Sequence, residues 1–330
     1  MAGPKRVLIT DFLEETTLEA PELSGLADLV LGHATHERDI EELCRDADVI
    51  IIFHDIAALT DATFAKAERC KAVIRAGVGY NNVDWKAAGE RGILVCNVPD
   101  YGTEEVADHA IMLLLATTRK LLHLDASMRA GVWDYKVGQS APRLRGKTLG
   151  LIGCGRIGIA TALRAKAFGL DVVFYDPVQP PGMEKALGIR REYDLDSLLA
   201  QSQFLSLHCY LDHTSHHIIN ARTLALLPPG AILLNTARGG LVDQEALIAA
   251  LESGHLSGAG IDVFEREPLD DDRLRSHPEV ILTPHSAFYS GEGFVEMRTK
   301  AAQEARRILS GEAPRNLVNR EVLRNPRSRI

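Results

Sequence analysis

The chain has 330 residues, of which 46% are hydrophobic and 25% are charged. This length suits about two domains, and this composition excludes disordered, collagen-like and coiled-coil proteins. Lys and Arg number 37 against 45 Asp and Glu, so the formal net charge is −8, which argues against nucleic-acid binding and attraction to anionic membranes. No segment reaches the ~20 apolar residues of a membrane span, and the first residues show no secretory pattern.

The five cysteines, Cys44, Cys70, Cys96, Cys154 and Cys209, are widely spaced and form no CxxC pair. Their spacing predicts neither a disulfide framework nor a zinc site. We therefore expect reduced thiols, a cytoplasmic location and no bound metal.

The first hundred residues alternate short apolar runs with helix-like stretches. The predicted strands cover residues 6–10, 28–32, 49–53, 72–76 and 93–95, and the helices between them include 39–45 and 62–68. Strands that alternate with helices predict a parallel sheet covered on both faces. A long helical pattern follows over residues 103–130, and residues 133–146 are irregular.

A second alternating series begins at Thr148. Its predicted strands cover 149–152, 172–175, 204–208, 231–235, 260–263 and 280–283, and its helices include 157–168 and 244–252. A last helix is predicted over 293–309. The two series predict an α/β protein with two doubly wound parallel-sheet domains.

A glycine-rich motif, Gly153-Cys154-Gly155-Arg156-Ile157-Gly158, follows the first strand of the second series and opens a helix. In a dinucleotide fold the three glycines permit a tight turn, a close approach of the pyrophosphate, and close packing of helix on strand. Asp176 ends the next strand, where an acidic residue binds the ribose hydroxyls. Because a carboxylate there repels a 2′-phosphate, the sequence favours NAD over NADP.

Three later strands end in polar segments, at residues 235–240, 262–268 and 283–287. Ligands of doubly wound sheets lie outside these carboxyl ends, so the segments can converge. Reduction of a 2-keto acid needs a guanidinium for the substrate oxygens and a proton donor near neutral pH, which suit Arg238 and His285. A carboxylate would orient the histidine; the spacing alone does not separate Glu265 from Glu267.

The chain resembles the D-isomer specific 2-hydroxyacid dehydrogenases over essentially its whole length, and most closely their C-terminal-binding-protein branch. The motifs that carry the resemblance are residues 75–84, 96–99, 104–108, 163–169, 174–177, 207–209, His216-His217, 235–243 and 283–290. The resemblance implies a flavodoxin-like substrate-binding domain of residues 1–100 and 290–330. It also implies a Rossmann NAD-binding domain of residues 101–289, with a cleft between the two domains.

The resemblance further implies roles for single residues. Arg238 would bind substrate, and His285 would be the acid/base. Glu267 would pair with His285, since it precedes a proline as the family's acid does. Arg75, Val78, Gly79 and Phe288 would also meet the substrate. The implied NAD-binding residues are Val78, Thr103, Ile152, Gly153, Cys154, Gly155, Arg156, Ile157, Gly158, Asp176, Cys209, Tyr210, Leu211, Thr214, Thr236, Ala237, Arg238, Asp262 and His285.

The expected activity is NAD-dependent interconversion of a small 2-keto acid and its D-2-hydroxy acid by a homodimer. One alternative is an NADH-sensing, corepressor-like protein-binding module; it is disfavoured because the long C-terminal tail of those corepressors is missing. Phosphoglycerate dehydrogenase is disfavoured because many such enzymes carry an extra C-terminal domain. The cluster of His213, His216 and His217 is interpreted as a polar loop near the cofactor, since no ligand spacing for a metal accompanies it.

Overall fold

The computed structural model describes residues 4–54 and 56–329. The predicted domain ranges also include residues 1–3, 55 and 330, which lie outside the described residues. The chain divides into two compact units. The first unit comprises residues 1–102 and 290–330, and the second comprises residues 103–289.

The strands and helices follow one another in regular alternation. The strands are β1 (Lys5–Ile9), β2 (Ala27–Leu31), β3 (Val49–Ile52), β4 (Ala72–Arg75), β5 (Leu94–Asn97), β6 (Thr148–Ile152), β7 (Asp171–Tyr175), β8 (Arg190–Arg191), β9 (Phe204–Leu207), β10 (Ala231–Asn235), β11 (Leu256–Ile261) and β12 (Val280–Leu282). The helices are α1 (Ala20–Leu23), α2 (Glu37–Ile40), α3 (Asp61–Lys66), α4 (Trp85–Glu90), α5 (Thr103–Thr118), α6 (Leu121–Arg129), α7 (Arg156–Ala167), α8 (Met183–Leu187), α9 (Leu195–Gln201), α10 (Ala221–Leu226), α11 (Gln244–Glu252), α12 (Asp272–Ser276) and α13 (Gly291–Leu309).

The first unit contains a five-stranded sheet in the order β2-β1-β3-β4-β5, with every pair parallel. This is the flavodoxin-like order. Every residue of β3, β4 and β5 is buried, because helices cover both faces of a parallel sheet. Helices α1 to α4 and α13 belong to this unit.

The second unit contains a seven-stranded parallel sheet in the order β12-β11-β10-β9-β6-β7-β8. If β6 is numbered as the first strand, this is the strand order of a dinucleotide-binding sheet, with β12 as one further strand at its edge. The order reverses at β6, which lies between β7 and β9. The predicted fold class of two doubly wound parallel sheets is confirmed.

Helix starts in the second unit follow from polar residues at the caps. The side chains of Asp194, Asn220 and Asp243 accept hydrogen bonds from backbone N–H groups in the first turns of α9, α10 and α11. Such caps satisfy donors that have no partner within the helix.

The predicted single helix over residues 103–130 is wrong. Lys120 has a left-handed backbone with φ of 55°, and it separates α5 from α6. Its side chain is buried, and its Nζ donates to the carbonyl oxygen of Ser257 at 3.2 Å and to the carboxylate of Glu279. The sequence predicted one helix because the apolar residues of α5 and α6 follow a helical pattern on both sides of Lys120.

Smaller corrections concern the ends of elements. The predicted helix 39–45 is the short helix α2 followed by a 3-10 turn over Leu43–Asp46. The predicted strand 260–263 is β11, which begins four residues earlier because its glycines interrupt the apolar pattern. The short polar strand β8 was not predicted. None of the helices in residues 4–54 and 56–329 has the length and apolar character that a membrane span requires.

Candidate active site

All strands of the second sheet are parallel, so the loops that follow them leave one edge of the sheet. The glycine-rich loop follows β6, and Asp176 follows β7. The three predicted polar segments lie at the ends of β10, β11 and β12. The reversal of strand order at β6 lies at this edge, which is where such sheets bind ligands.

The three glycines of the loop after β6 have different environments. Gly153 has φ of 94°, and a Cβ there would lie 2.6 Å from the backbone nitrogen of Cys209. A Cβ at Gly158 would lie 2.4 Å from the carbonyl oxygen of Gly153, so helix and loop pack without room for a side chain. A Cβ at Gly155 would meet nothing within 4 Å. The loop therefore packs tightly against neighbouring backbone at Gly153 and Gly158 and has free space beside Gly155.

Helix α7 begins beside this open position. Its cap residue is Gly155, and no side chain caps the helix. Backbone N–H groups and the positive end of the helix dipole therefore face the space that a pyrophosphate needs. Asp176 lies close by, and its carboxylate accepts from the backbone N–H of Cys154 at 2.8 Å and of Val178 at 2.9 Å. These residues fit a bound NAD.

His285 and Glu267 form a direct pair. Nδ1 of His285 lies 2.7 Å from Oε2 of Glu267, and Oε1 of Glu267 accepts from the backbone N–H of Phe264 at 3.0 Å. Burial raises the pKa of Glu267, but the hydrogen bond and charge of His285, the Phe264 N–H and the charge of Arg238 outweigh it, so the pKa lies below its ordinary value. Glu267 is thus an ionised partner for an imidazolium.

Asp262 holds the segment that carries His285. Its carboxylate is fully buried and accepts from Oγ1 of Thr283 at 2.5 Å, from the backbone N–H of Ser286 at 2.9 Å and from that of Ala287 at 3.0 Å. The backbone of His285 has φ of 51°, a conformation that non-glycine residues rarely adopt. Asp262 therefore fixes the turn on which the imidazole stands.

His109 supports the same turn from α5 and was not predicted as a site residue. Its Nε2 lies 2.9 Å from Oγ1 of Thr283 and 3.7 Å from Oδ1 of Asp262. Burial lowers the pKa of His109, and the charge of Asp262 opposes this shift. The sequence feature that could have indicated His109 is its helical spacing from two buried residues of α5, Val106 and Leu113.

Arg238 follows β10, and Asn235 fixes its backbone. The side chain of Asn235 donates to the carbonyl oxygen of Arg238 at 2.9 Å and accepts from the N–H of Ala237 at 3.0 Å. Next to it, Gly239 packs so closely on the carbonyl group of Phe264 that a Cβ would lie 1.8 Å away. The segment that carries Arg238 is thus packed directly on the segment that carries Glu267.

The remaining predicted residues of the second unit lie on or near the same loops. Phe288 makes an edge-to-face contact with the imidazole of His285, with ring centroids 6.3 Å apart. Oγ1 of Thr236 is buried and makes no hydrogen bond within the described residues. Cys209, Tyr210, Leu211 and Thr214 follow β9, Ile152 ends β6, and Arg156 and Ile157 open α7. Thr103 is the first residue of α5 and lies apart from these strand ends in sequence.

Of the predicted substrate residues of the first unit, Arg75 ends β4, and Val78 and Gly79 follow it. Nη1 of Arg75 donates to the carbonyl oxygen of Ala76 at 2.6 Å, and the guanidinium lies against Gly77, where a Cβ would be 1.5 Å from it. The carbonyl oxygens of Gly77 and Val78 accept from the Val98 N–H at 3.0 Å and the Asn97 side chain at 2.7 Å. Within the part of the chain that the structure describes, the N–H groups of Val78 and Gly79 make no hydrogen bond. These donors suit a carboxylate.

Known proteins resemble the chain in sequence and in fold. Residues 111–287 match the NAD binding domain of the D-isomer specific 2-hydroxyacid dehydrogenases. A glyoxylate reductase from Korarchaeum cryptofilum is 38% identical over 329 residues, which cover 97% of each chain. A D-3-phosphoglycerate dehydrogenase from Methanocaldococcus jannaschii is 38% identical over 95% of this chain, which spans 59% of that protein's length. The structure of a glyoxylate reductase from Paecilomyes thermophila has a TM-score of 0.89 at 30% identity and covers 96% of this chain and 99% of its own.

The chain belongs to the D-isomer specific 2-hydroxyacid dehydrogenase family. It is accordingly an NAD-dependent 2-hydroxyacid dehydrogenase, and NAD is its cofactor. The glycine loop, the open end of α7 and Asp176 are the residues that fit this cofactor.

Proposed function

We propose that the protein reduces a small 2-keto acid to the D-2-hydroxy acid and catalyses the reverse reaction. The observation that carries this proposal is the 2.7 Å pair of His285 and Glu267, which stands on a strand-end loop packed against the segment of Arg238. A proton donor, an ionised carboxylate and a guanidinium are the groups that keto-acid reduction needs.

Each side chain has a separate task in the proposed mechanism. Bound NADH supplies the hydride. Glu267 engages Nδ1 of His285, so Nε2 is the nitrogen that gives a proton to the carbonyl oxygen. Arg238 binds the carboxylate and carbonyl oxygens of the substrate, and we also assign Arg75 and the N–H groups of Val78 and Gly79 to the carboxylate. Glu267 stabilises the protonated imidazole and fixes the ring.

The proposal is tested by replacing His285 with alanine. We expect turnover of every reducible 2-keto acid to fall by about 10²- to 10⁴-fold, because proton transfer by a positioned side chain contributes that much. The circular dichroism spectrum and the thermal midpoint of the variant should stay near wild type, which shows that the fold persists. Unchanged turnover in His285→Ala would refute the acid/base assignment.

We also propose that two copies of the chain form a dimer through the segment from α6 to residue 138. Within this segment Trp133 is 88% exposed and Tyr135 is 84% exposed, and Leu121, Leu122, Met128 and Val132 are each about half exposed. Large exposed apolar patches mark association sites. Sedimentation of a Trp133→Ser, Tyr135→Ser double variant should show a monomer, whereas Tyr193→Ser, a control at another exposed tyrosine, should keep the wild-type mass.

Three finer assignments accompany the proposal. The cytoplasm is the proposed location because the five cysteines are free and reduced thiols persist there. A short 2-keto acid such as glyoxylate is the proposed substrate class, supported by relatives that are named glyoxylate reductases. The closer similarity to the C-terminal-binding-protein branch stays a prediction from sequence.

A further inference from the structure

We propose that His217 and Glu265 are positioning residues, which together hold Arg238 and Glu267 in place for the reaction. The inference rests on the proposed function of Arg238 and Glu267. It assigns a task to Glu265, which the sequence left as a competing acid, and to one member of the histidine cluster.

The pair joins three segments of the second unit. Nε2 of His217 contacts Oε1 of Glu265, while Oε2 of Glu265 accepts from the backbone N–H of Gln244, the first residue of α11, at 3.3 Å. The backbone N–H of His217 donates to the carbonyl oxygen of Gly240 at 2.9 Å. The side chain of Asn220 donates to the carbonyl oxygen of His217 at 2.8 Å. His217 is therefore held through its ring, its N–H and its carbonyl oxygen.

The segments that the pair joins are those that carry the proposed catalytic groups. Glu265 lies two residues before Glu267, and the neighbouring Phe264 donates its N–H to Glu267 at 3.0 Å. The carbonyl group of Phe264 also packs on Gly239, the residue after Arg238, with no room for a Cβ. A displacement of Phe264 would thus move Glu267 and press on the Arg238 segment.

The backbone at His217 distinguishes this pair from an ordinary surface ion pair. His217 has φ of 49°, and its ring stacks on that of His216 with centroids 3.9 Å apart. Non-glycine residues in this region carry strain, which persists only where the surroundings impose it and which concentrates at functional sites. Both side chains of the pair are about one-third exposed, so the pair itself adds little to stability. Its main effect is on the geometry of the neighbouring segments.

The test uses the single variants His217→Asn and Glu265→Gln, their double variant, and Asp196→Asn. Asp196 forms an exposed ion pair with Arg222 in the same unit, so it is a matched control. Two measurements are made on the full-length chain with each variant. The first is hydrogen–deuterium exchange of the peptides that cover residues 236–241 and 263–268. The second is steady-state reduction of a keto acid, with separate kcat and KM.

We expect each single variant to raise exchange in both peptides and to lower kcat/KM about tenfold, because small misplacements of catalytic groups are costly. The double variant should lose no more than either single variant, since one interaction is removed in each case. NADH affinity and the thermal midpoint should stay near wild type, and Asp196→Asn should change nothing.

Wild-type exchange in both peptides of the single variants would overturn the inference, and so would additive losses in the double variant. A fall in kcat/KM that merely follows a lower thermal midpoint would also overturn it, because it would indicate a structural role. The exchange measurement does not depend on turnover. A wild-type chain that binds NADH but reduces no keto acid would therefore refute the proposed function, while the exchange data would still decide the coupling of the segments.

Discussion

Replacement of Glu267 by glutamine tests the electrostatic part of the proposed mechanism. The variant keeps the size of the side chain and one acceptor oxygen, but it removes the charge and replaces the other oxygen with an NH₂ donor. Its partner, Nδ1 of His285, lies 2.7 Å from the carboxylate oxygen. The loss should therefore report how far the carboxylate stabilises a protonated imidazole.

The size of the effect follows from the exposure of the pair. Two unit charges about 4 Å apart attract by about 4 kcal/mol at an effective dielectric constant of about 20, and by about 1 kcal/mol in bulk water. The side chains of His285 and Glu267 are 26% and 36% exposed, so solvent screens part of the attraction. We take the screened attraction between the two side chains as about 2 kcal/mol. Its loss corresponds to about a thirtyfold loss of kcat/KM for keto-acid reduction.

The pH range follows from the lowered pKa of Glu267. A carboxyl group whose pKa is lowered on folding stabilises the folded protein above its ordinary pKa, and this contribution is lost as the pH falls through the lowered value. The ordinary value is 4.5, so the wild-type pair should persist above this pH and be lost only below it. Glu267→Gln should remove this acid-dependent part of the stability.

The assay measures kcat/KM for reduction at neutral pH and thermal unfolding between about pH 3 and pH 7, the range that spans the ordinary carboxyl pKa. Glu245→Gln is the control, because Glu245 pairs with Arg273 on the surface of the same unit. The reasoning is refuted if Glu267→Gln keeps wild-type kcat/KM, or if Glu245→Gln loses as much.

Three further predictions concern cofactor binding and the first unit. Gly155→Ala should fold normally but weaken NADH binding at least tenfold in a fluorescence titration, because a Cβ at Gly155 has room in the protein and would enter the space that a pyrophosphate needs. Gly153→Ala should lower the thermal midpoint, because a Cβ at Gly153, unlike one at Gly155, has no room. Equal effects of the two variants would contradict this. Asp176→Ala should raise the NADPH-to-NADH ratio of kcat/KM at least tenfold by removing a carboxylate that repels a 2′-phosphate, and an unchanged ratio would refute the selectivity argument. Arg298→Met should lower the free energy of unfolding by about 3 kcal/mol in urea titrations, because it leaves the buried carboxylate of Glu19 without its bidentate partner; the exposed Arg306→Met is the control and should change it by less than about 1 kcal/mol.

Local sequence patterns sufficed for the glycine loop and for every strand except the short polar β8. Buried parallel strands such as β3 and β4 are short apolar runs between polar residues, and the requirement for glycine at residue 153 is local. The break at Lys120 was missed because its cause is distant in sequence. Its ammonium group reaches Glu279, 159 residues further along the chain.

The same limit applies to the candidate site. The sequence named His285 and Glu267, but a family resemblance, rather than spacing, selected Glu267 over Glu265. The structure gives these two acids different partners, His285 and His217. Helical spacing places His109 on the buried side of α5, but its contact with Thr283 could not be predicted, because it depends on which helix packs beside the end of β12, 174 residues away. Contacts between distant segments are set by tertiary packing, which periodicity does not encode.

The central claim is tested most directly by one assay of the wild-type protein. NADH is mixed with glyoxylate, hydroxypyruvate, pyruvate and longer 2-keto acids, and the fall in NADH absorbance is followed. The configuration is determined for every product that has a stereocentre, which excludes the glycolate formed from glyoxylate. We predict turnover of at least one of these acids, with D-2-hydroxy acids as the chiral products. NADH that binds but is not oxidised by any of them, or an L-product, would contradict the proposal.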